Sequence, residues 1–109
     1  MDKASPELIA RFEDLAEVVP EADRKLVFGS PTCLVGGNMF FGVHAVGLFV
    51  KLPAEQAQEL LADGGRQFEP MPGRPMGGFI VLPDDQDNAD WVRRSYAYAL
   101  SLPAKKKKS

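Results

Sequence analysis

The side chains through which this chain could do chemistry are few and well separated. His44 is the only histidine and Cys33 the only cysteine. Arg74 sits in the proline- and glycine-bounded run Pro70–Gly78, and four aspartates (Asp84, Asp85, Asp87 and Asp90) cluster just after it. Lys105–Lys108 close the chain as a basic tail. A histidine can act as a general base near neutral pH, and paired with Cys33 it would activate a thiolate nucleophile. That pairing requires the two residues to meet across a sheet. Apart from that pairing, no serine or paired carboxylate near His44 in sequence completes a triad, so a turn-flanking histidine and a buried, inert thiol are the simpler readings. Counted from Asp84 as an EF-hand, the glycine and glutamate positions hold Ala89 and Ser95, so the aspartates read instead as helix caps and dipole partners.

Two chemistries remain. The guanidinium of Arg74 presents a rigid fork of donors suited to an anion or carboxylate, displayed on a loop; Met71 and Met76 beside it could adapt to varied partners. Lys105, Lys106, Lys107 and Lys108 could hold nucleic acid, but four charges give only nonspecific, salt-sensitive binding, and a solvated tail is the plainer reading. The formal net charge of −2 includes the four lysines, which leaves −6 on the rest. An acidic body argues against a nucleic-acid groove on the domain itself. No phosphate cradle is present, because Gly36-Gly37-Asn38 lies between strands and Gly73–Gly78 precedes a strand. No catalytic set, cofactor or metal is expected.

These residues must be held by one domain, 1–104, followed by an unstructured tail, 105–109; 109 residues suffice for a modest core. Ser5-Pro6 is a helix start, Leu8, Phe12, Leu15, Ala16 and Val19 recur at helical spacing, and Pro20 ends the helix. Glu21–Lys25 reads as a charged connector, with Val27-Phe28 as a short lead-in. Three antiparallel strands follow, at 31–35, 39–44 and 48–52, with a hairpin turn at Gly36-Gly37. Strict alternation would place Met39, Phe41 and Val43 on one face and Phe40, Gly42 and His44 on the other. Pro53 opens a second helix and Gly64-Gly65 ends it. A short strand at 66–69, another at 79–82 and a closing helix to Leu102 complete the order. The fold class is α+β: α-β(3)-α-β(2)-α, two layers, a mainly antiparallel sheet with helices on one face.

Three stretches, in this order, resemble a known family. Val27-Phe28-Gly29 is similar to its "MFG" signature. Gly37–Leu52 is similar to its paired central strands, and Gly73-Arg74-Pro75-Met76 to its "g-k-PM" element. On these the chain resembles the N-terminal domain of the TfoX family over about residues 24–100. The resemblance implies a secretion-chaperone-like fold, bacterial or archaeal origin and a cytoplasmic setting. It also implies competence regulation alongside a cyclic-AMP receptor protein, in members that carry a second, helical domain; that domain is expected to be absent here. It supplies no catalytic residues. The expected function is a non-enzymatic, regulatory protein-interaction module that binds an unidentified protein partner and could form a homodimer. The alternatives are weak nucleic-acid binding through the lysine tail and a small enzyme using His44. No membrane association is expected: the apolar run 39–52 is broken by glycines, His44 and Lys51. Met1–Pro6 lacks the pattern of a secretory signal.

Overall fold

The computed structural model describes residues 4–27, 30–69, 73–84 and 86–103. Helix α1 spans Pro6–Ala16, and the Oγ of Ser5 accepts a hydrogen bond from the Leu8 amide at 3.2 Å. This is the expected cap, which satisfies one of the first-turn donors that a helix leaves without partners. Regular helix stops at Ala16. The chain then tightens, with the Val19 amide donating to the Ala16 carbonyl at 3.1 Å. Pro20 thus lies beyond a helix that has already unwound.

The segment read as a charged connector is a strand. β1 (Asp23–Val27) pairs antiparallel with β2 (Ser30–Val35) along its whole length. Asp23 through Leu26 are exposed. An edge strand needs no apolar face of its own when its neighbour supplies the pairing, so no hydrophobic alternation marked it. The order is therefore α-β(4)-α-β(2)-α. β2 turns at Gly36-Gly37, both at positive φ (57° and 81°), into β3 (Asn38–His44). This is the two-residue hairpin geometry the glycines foretold. β4 (Gly47–Lys51), α2 (Ala54–Ala62), β5 (Arg66–Gln67), β6 (Phe79–Val81) and α3 (Ala89–Ser101) follow. All pairings are antiparallel and the strand order is β1-β2-β3-β4-β6-β5. α2 ends where the Gly65 amide donates to the Leu60 carbonyl at 2.8 Å and Gly64 takes φ 106°, the glycine-based stop expected of a helix C-terminus.

The alternation assumed for β3 fails at one point. Cys33 pairs with Phe41 but Leu34 pairs with Met39, so Phe40 is an extra residue. This β-bulge lets Phe40 and Phe41 both enter the helix-covered core, where each is fully buried. Phe41 stacks on Phe12 of α1 at 4.7 Å, and Phe40 meets Tyr96 of α3 at 5.4 Å. Met39 falls instead on the opposite face. There Phe49, Phe68, Phe79 and Val81 form a second cluster, with Met39 and Met76 packed against it. The helices cover one face, as expected, and the segment following β5 lays Phe68 on the other.

Candidate interaction surface

The excursion between β5 and β6 carries Arg74. Its roots are fixed by main-chain and side-chain hydrogen bonds. The Phe68 amide donates to the Phe79 carbonyl (3.0 Å), the Met76 amide to the Phe68 carbonyl (2.9 Å), and the Phe79 amide to the Met76 carbonyl (3.2 Å). The Gln67 Nε2 reaches the carbonyls of Met76 (2.8 Å) and Phe79 (3.2 Å). Phe68 is buried and stacks on Phe49, with ring centroids 4.3 Å apart and planes at 11°. Such an offset aromatic pair adds to the stabilisation from burial. At the tip, the Gly73 amide donates to Glu69 Oε1 at 3.2 Å, while Gly73, Arg74 and Pro75 are exposed.

Arg74 makes no hydrogen bond or ion pair among the described residues. Most of the other arginines are engaged. Arg11 bonds the Asp84 carbonyl at 2.7 Å, Arg24 pairs with Glu13 at 2.7 Å, Arg66 reaches the Val46 carbonyl at 3.2 Å, and Arg94 pairs with Asp90 and Glu59. Met76 is half-buried against the aromatic cluster, so part of its side chain serves packing and part remains at the surface beside Arg74. Met71 lies outside the described residues, as do Asp85 and Lys105–Lys108. The last described residue, Pro103, accepts a hydrogen bond from Asn38 Nδ2 at 3.0 Å. The described chain therefore ends beside the β2–β3 hairpin.

The side chains considered for catalysis are not brought together. Cys33 is fully buried in the helix-covered core opposite Phe41. Burial pushes its thiol up to about 11, only partly offset by the nearby Arg24 charge. His44 lies on the other face, its ring edge-on to Phe68 at 5.5 Å, and its Nδ1 is buried with no hydrogen-bond partner. The sheet itself separates the two. The aspartates divide in the same way. Asp87 Oδ1 accepts from the Ala89 amide at 3.0 Å just before α3, whose N-cap is Asn88 with no side-chain cap bond, whereas Asp90 and Asp84 face Arg94 and Arg11. Among the described residues no three His, Cys, Asp or Glu side chains converge as a metal site.

Two open clefts flank α2. One, about 560 Å³, lies between Asp63, Arg66, Pro83 and Asp84; the other, about 360 Å³, lies between Lys51, Gln58, Leu61 and Tyr98. Neither includes Arg74 or His44. Sequence reasoning passed over Arg66, because its hydrogen-bond partner among the described residues is a turn carbonyl twenty residues away, and nothing local signals it.

Among the described residues no helix is long and apolar enough to cross a membrane. No curated protein and no solved structure matches the chain. The model of the TfoX N-terminal domain matches residues 13–99, which take in the whole sheet, α2 and most of α3. With this ordered match over most of its length, the chain belongs to the TfoX N-terminal domain family.

Proposed function

We propose that this domain is a non-enzymatic protein-interaction module that captures a carboxylate-bearing segment of a partner protein through Arg74. The observation that carries the reading is an exposed guanidinium without a partner among the described residues, held on a loop whose two roots are pinned. A guanidinium binds a carboxylate through two parallel donors, and pinned roots lower the entropic cost of ordering the loop on binding. The separation of Cys33 and His44 on opposite faces of the sheet supports a role without catalysis. A regulatory role in a bacterial cytoplasm belongs to the same proposal and draws on the family assignment.

The test is capture of partners by the intact protein, Arg74→Ala, Arg74→Lys and a chain ending at Ala104, with and without nuclease. Arg74→Ala should lose the captured protein, and Arg74→Lys should recover it only in part, because an ammonium cannot reproduce the planar fork. The stability of both variants should stay within about 0.5 kcal/mol of the parent, as for exposed surface changes. Capture that survives Arg74→Ala would refute the assignment. Material lost only with the tail and on nuclease treatment would point to nucleic acid instead.

A further inference from the structure

β1 forms one edge of the sheet, and among the described residues no strand pairs with its outer side. Leu26 within it is 69% exposed, more than the other exposed large hydrophobics Leu100 and Val46. An edge of this kind offers main-chain donors and acceptors to another strand. Its charges decide what that strand can be.

The register of β1 with β2 fixes which way its side chains face. Arg24 pairs with Cys33, which is buried under the helices, and the Arg24 guanidinium lies 5.2 Å from the centre of the Phe12 ring. Arg24 and Leu26 therefore share the helix-covered face with Ala22, and Asp23 and Lys25 share the other. Joining two copies edge to edge by a two-fold axis perpendicular to the sheet keeps each residue on its own face. The axis must then pass through a residue.

β1 has five residues, so five positions are available. An axis through Asp23 sets Asp23 against itself, and one through Lys25 sets Lys25 against itself. An axis through Leu26 sets Lys25 against Val27 and brings no opposite charges together, and one through Val27 pairs only Val27 with itself within β1. An axis through Arg24 places Asp23 opposite Lys25 of the second copy, twice by symmetry, and brings Leu26 level with Ala22, the residue that precedes β1. Opposite charges directly across a sheet attract and like charges repel. The two Arg24 side chains that meet at this axis are each neutralised by Glu13 of their own chain at 2.7 Å. Charges on an edge strand often serve to prevent pairing. Here their order, acidic then basic two residues on, makes the strand complementary to itself in one register.

We propose that β1 is an interface for a second copy of this chain, joined antiparallel with Arg24 at the two-fold axis. This reading is independent of Arg74, whose loop lies between β5 and β6 at the other end of the sheet.

The experiment is sedimentation equilibrium of the full chain from about 5 to 500 µM, a range suited to a small interface. It compares the parent with Lys25→Glu, Asp23→Lys and the double variant Asp23→Lys/Lys25→Glu. Each single variant should weaken dimerisation roughly tenfold or more, because two attractive cross-strand pairs become repulsive. The double variant restores opposite charges in the same register and should return the dissociation constant to near the parental value, which a folding defect could not do. Arg74→Ala should dimerise like the parent. A parent that is monomeric throughout the range would overturn the proposal. So would a dimer indifferent to the single variants, or a double variant as weak as either single one.

Discussion

Replacing Ser95 with alanine removes a single oxygen from the middle of α3, and the structure sets a large effect on it. Ser95 is fully buried. Its Oγ lies 2.7 Å from the Phe40 carbonyl and 2.7 Å from the Lys51 carbonyl. The β3–β4 ladder, continued one step beyond Phe41↔Val50, would pair Phe40 with Lys51, but it stops at that point. The bulge at Phe40 ends it, and the hydroxyl stands between the two carbonyls in its place. One proton can serve only one carbonyl at a time, so Ser95→Ala leaves at least one buried acceptor unmet. That costs about 1–3 kcal/mol. The better helix propensity of alanine returns up to roughly 0.5 kcal/mol. The net loss is about 0.5–2.5 kcal/mol, or a fall in Tm of roughly 2–12 °C for a domain of this size. Urea and thermal denaturation read it directly. Ser101→Ala is the control: the Ser101 Oγ donates to the Tyr98 carbonyl at 2.6 Å, but at an exposed site, and its loss should stay within about 0.5 kcal/mol. Equal stability of Ser95→Ala and the parent would mean that the bulge carbonyl has another partner and that the staple is redundant.

Gly42 faces Phe49 across β3 and β4, and a Cβ there would lie 2.6 Å from Phe49 Cζ. Gly42→Ala must push the ring off its stack with Phe68, and the expected loss of about 1–3 kcal/mol can be followed by denaturant unfolding; an unchanged midpoint would show that the ring moves freely. Cys33 gives a pH dependence of definite sign. Its folded thiol is held up at about 11, so between roughly pH 9 and 11 the unfolded chain loses its proton first and stability falls as pH rises. Cys33→Ala should flatten that fall in a denaturation series across the same range, and a series with the same slope would assign the loss to other groups. The native thiol should also resist a thiol reagent until denaturant is added.

Residues that act on their own backbone were readable from the chain. Ser5-Pro6 opened α1, Gly36-Gly37 turned the first central hairpin, and Gly64 closed α2. Each works through a dihedral preference or a cap that operates within a few residues. The readings that failed depended on neighbours distant in sequence. β1 is a strand because β2 lies beside it, and its own charges resemble those of a connector. Phe40 and Phe41 share the core because β2 lacks one residue opposite them, which a period-two pattern cannot express. The same division runs through the candidate surface. Exposure of Arg74 was legible from the prolines and glycines around it. That it has no partner among the described residues was not, since that depends on where Glu13, Glu59, Asp84 and Asp90 find their arginines.

The second aromatic cluster links this division to function. Phe68 is a single aromatic residue just before a proline–glycine run, with no periodicity to reveal its destination. It nonetheless covers the sheet face that the helices leave open, stacking on Phe49 and meeting the His44 ring. The loop that displays Arg74 therefore hangs from a residue buried in a core, and its roots at Phe68 and Met76 are tied to the packing of β3, β4 and β6. Disturbing Gly42 or Phe49 should therefore reach Arg74 through the Phe68 stack, although neither residue lies near the guanidinium in sequence.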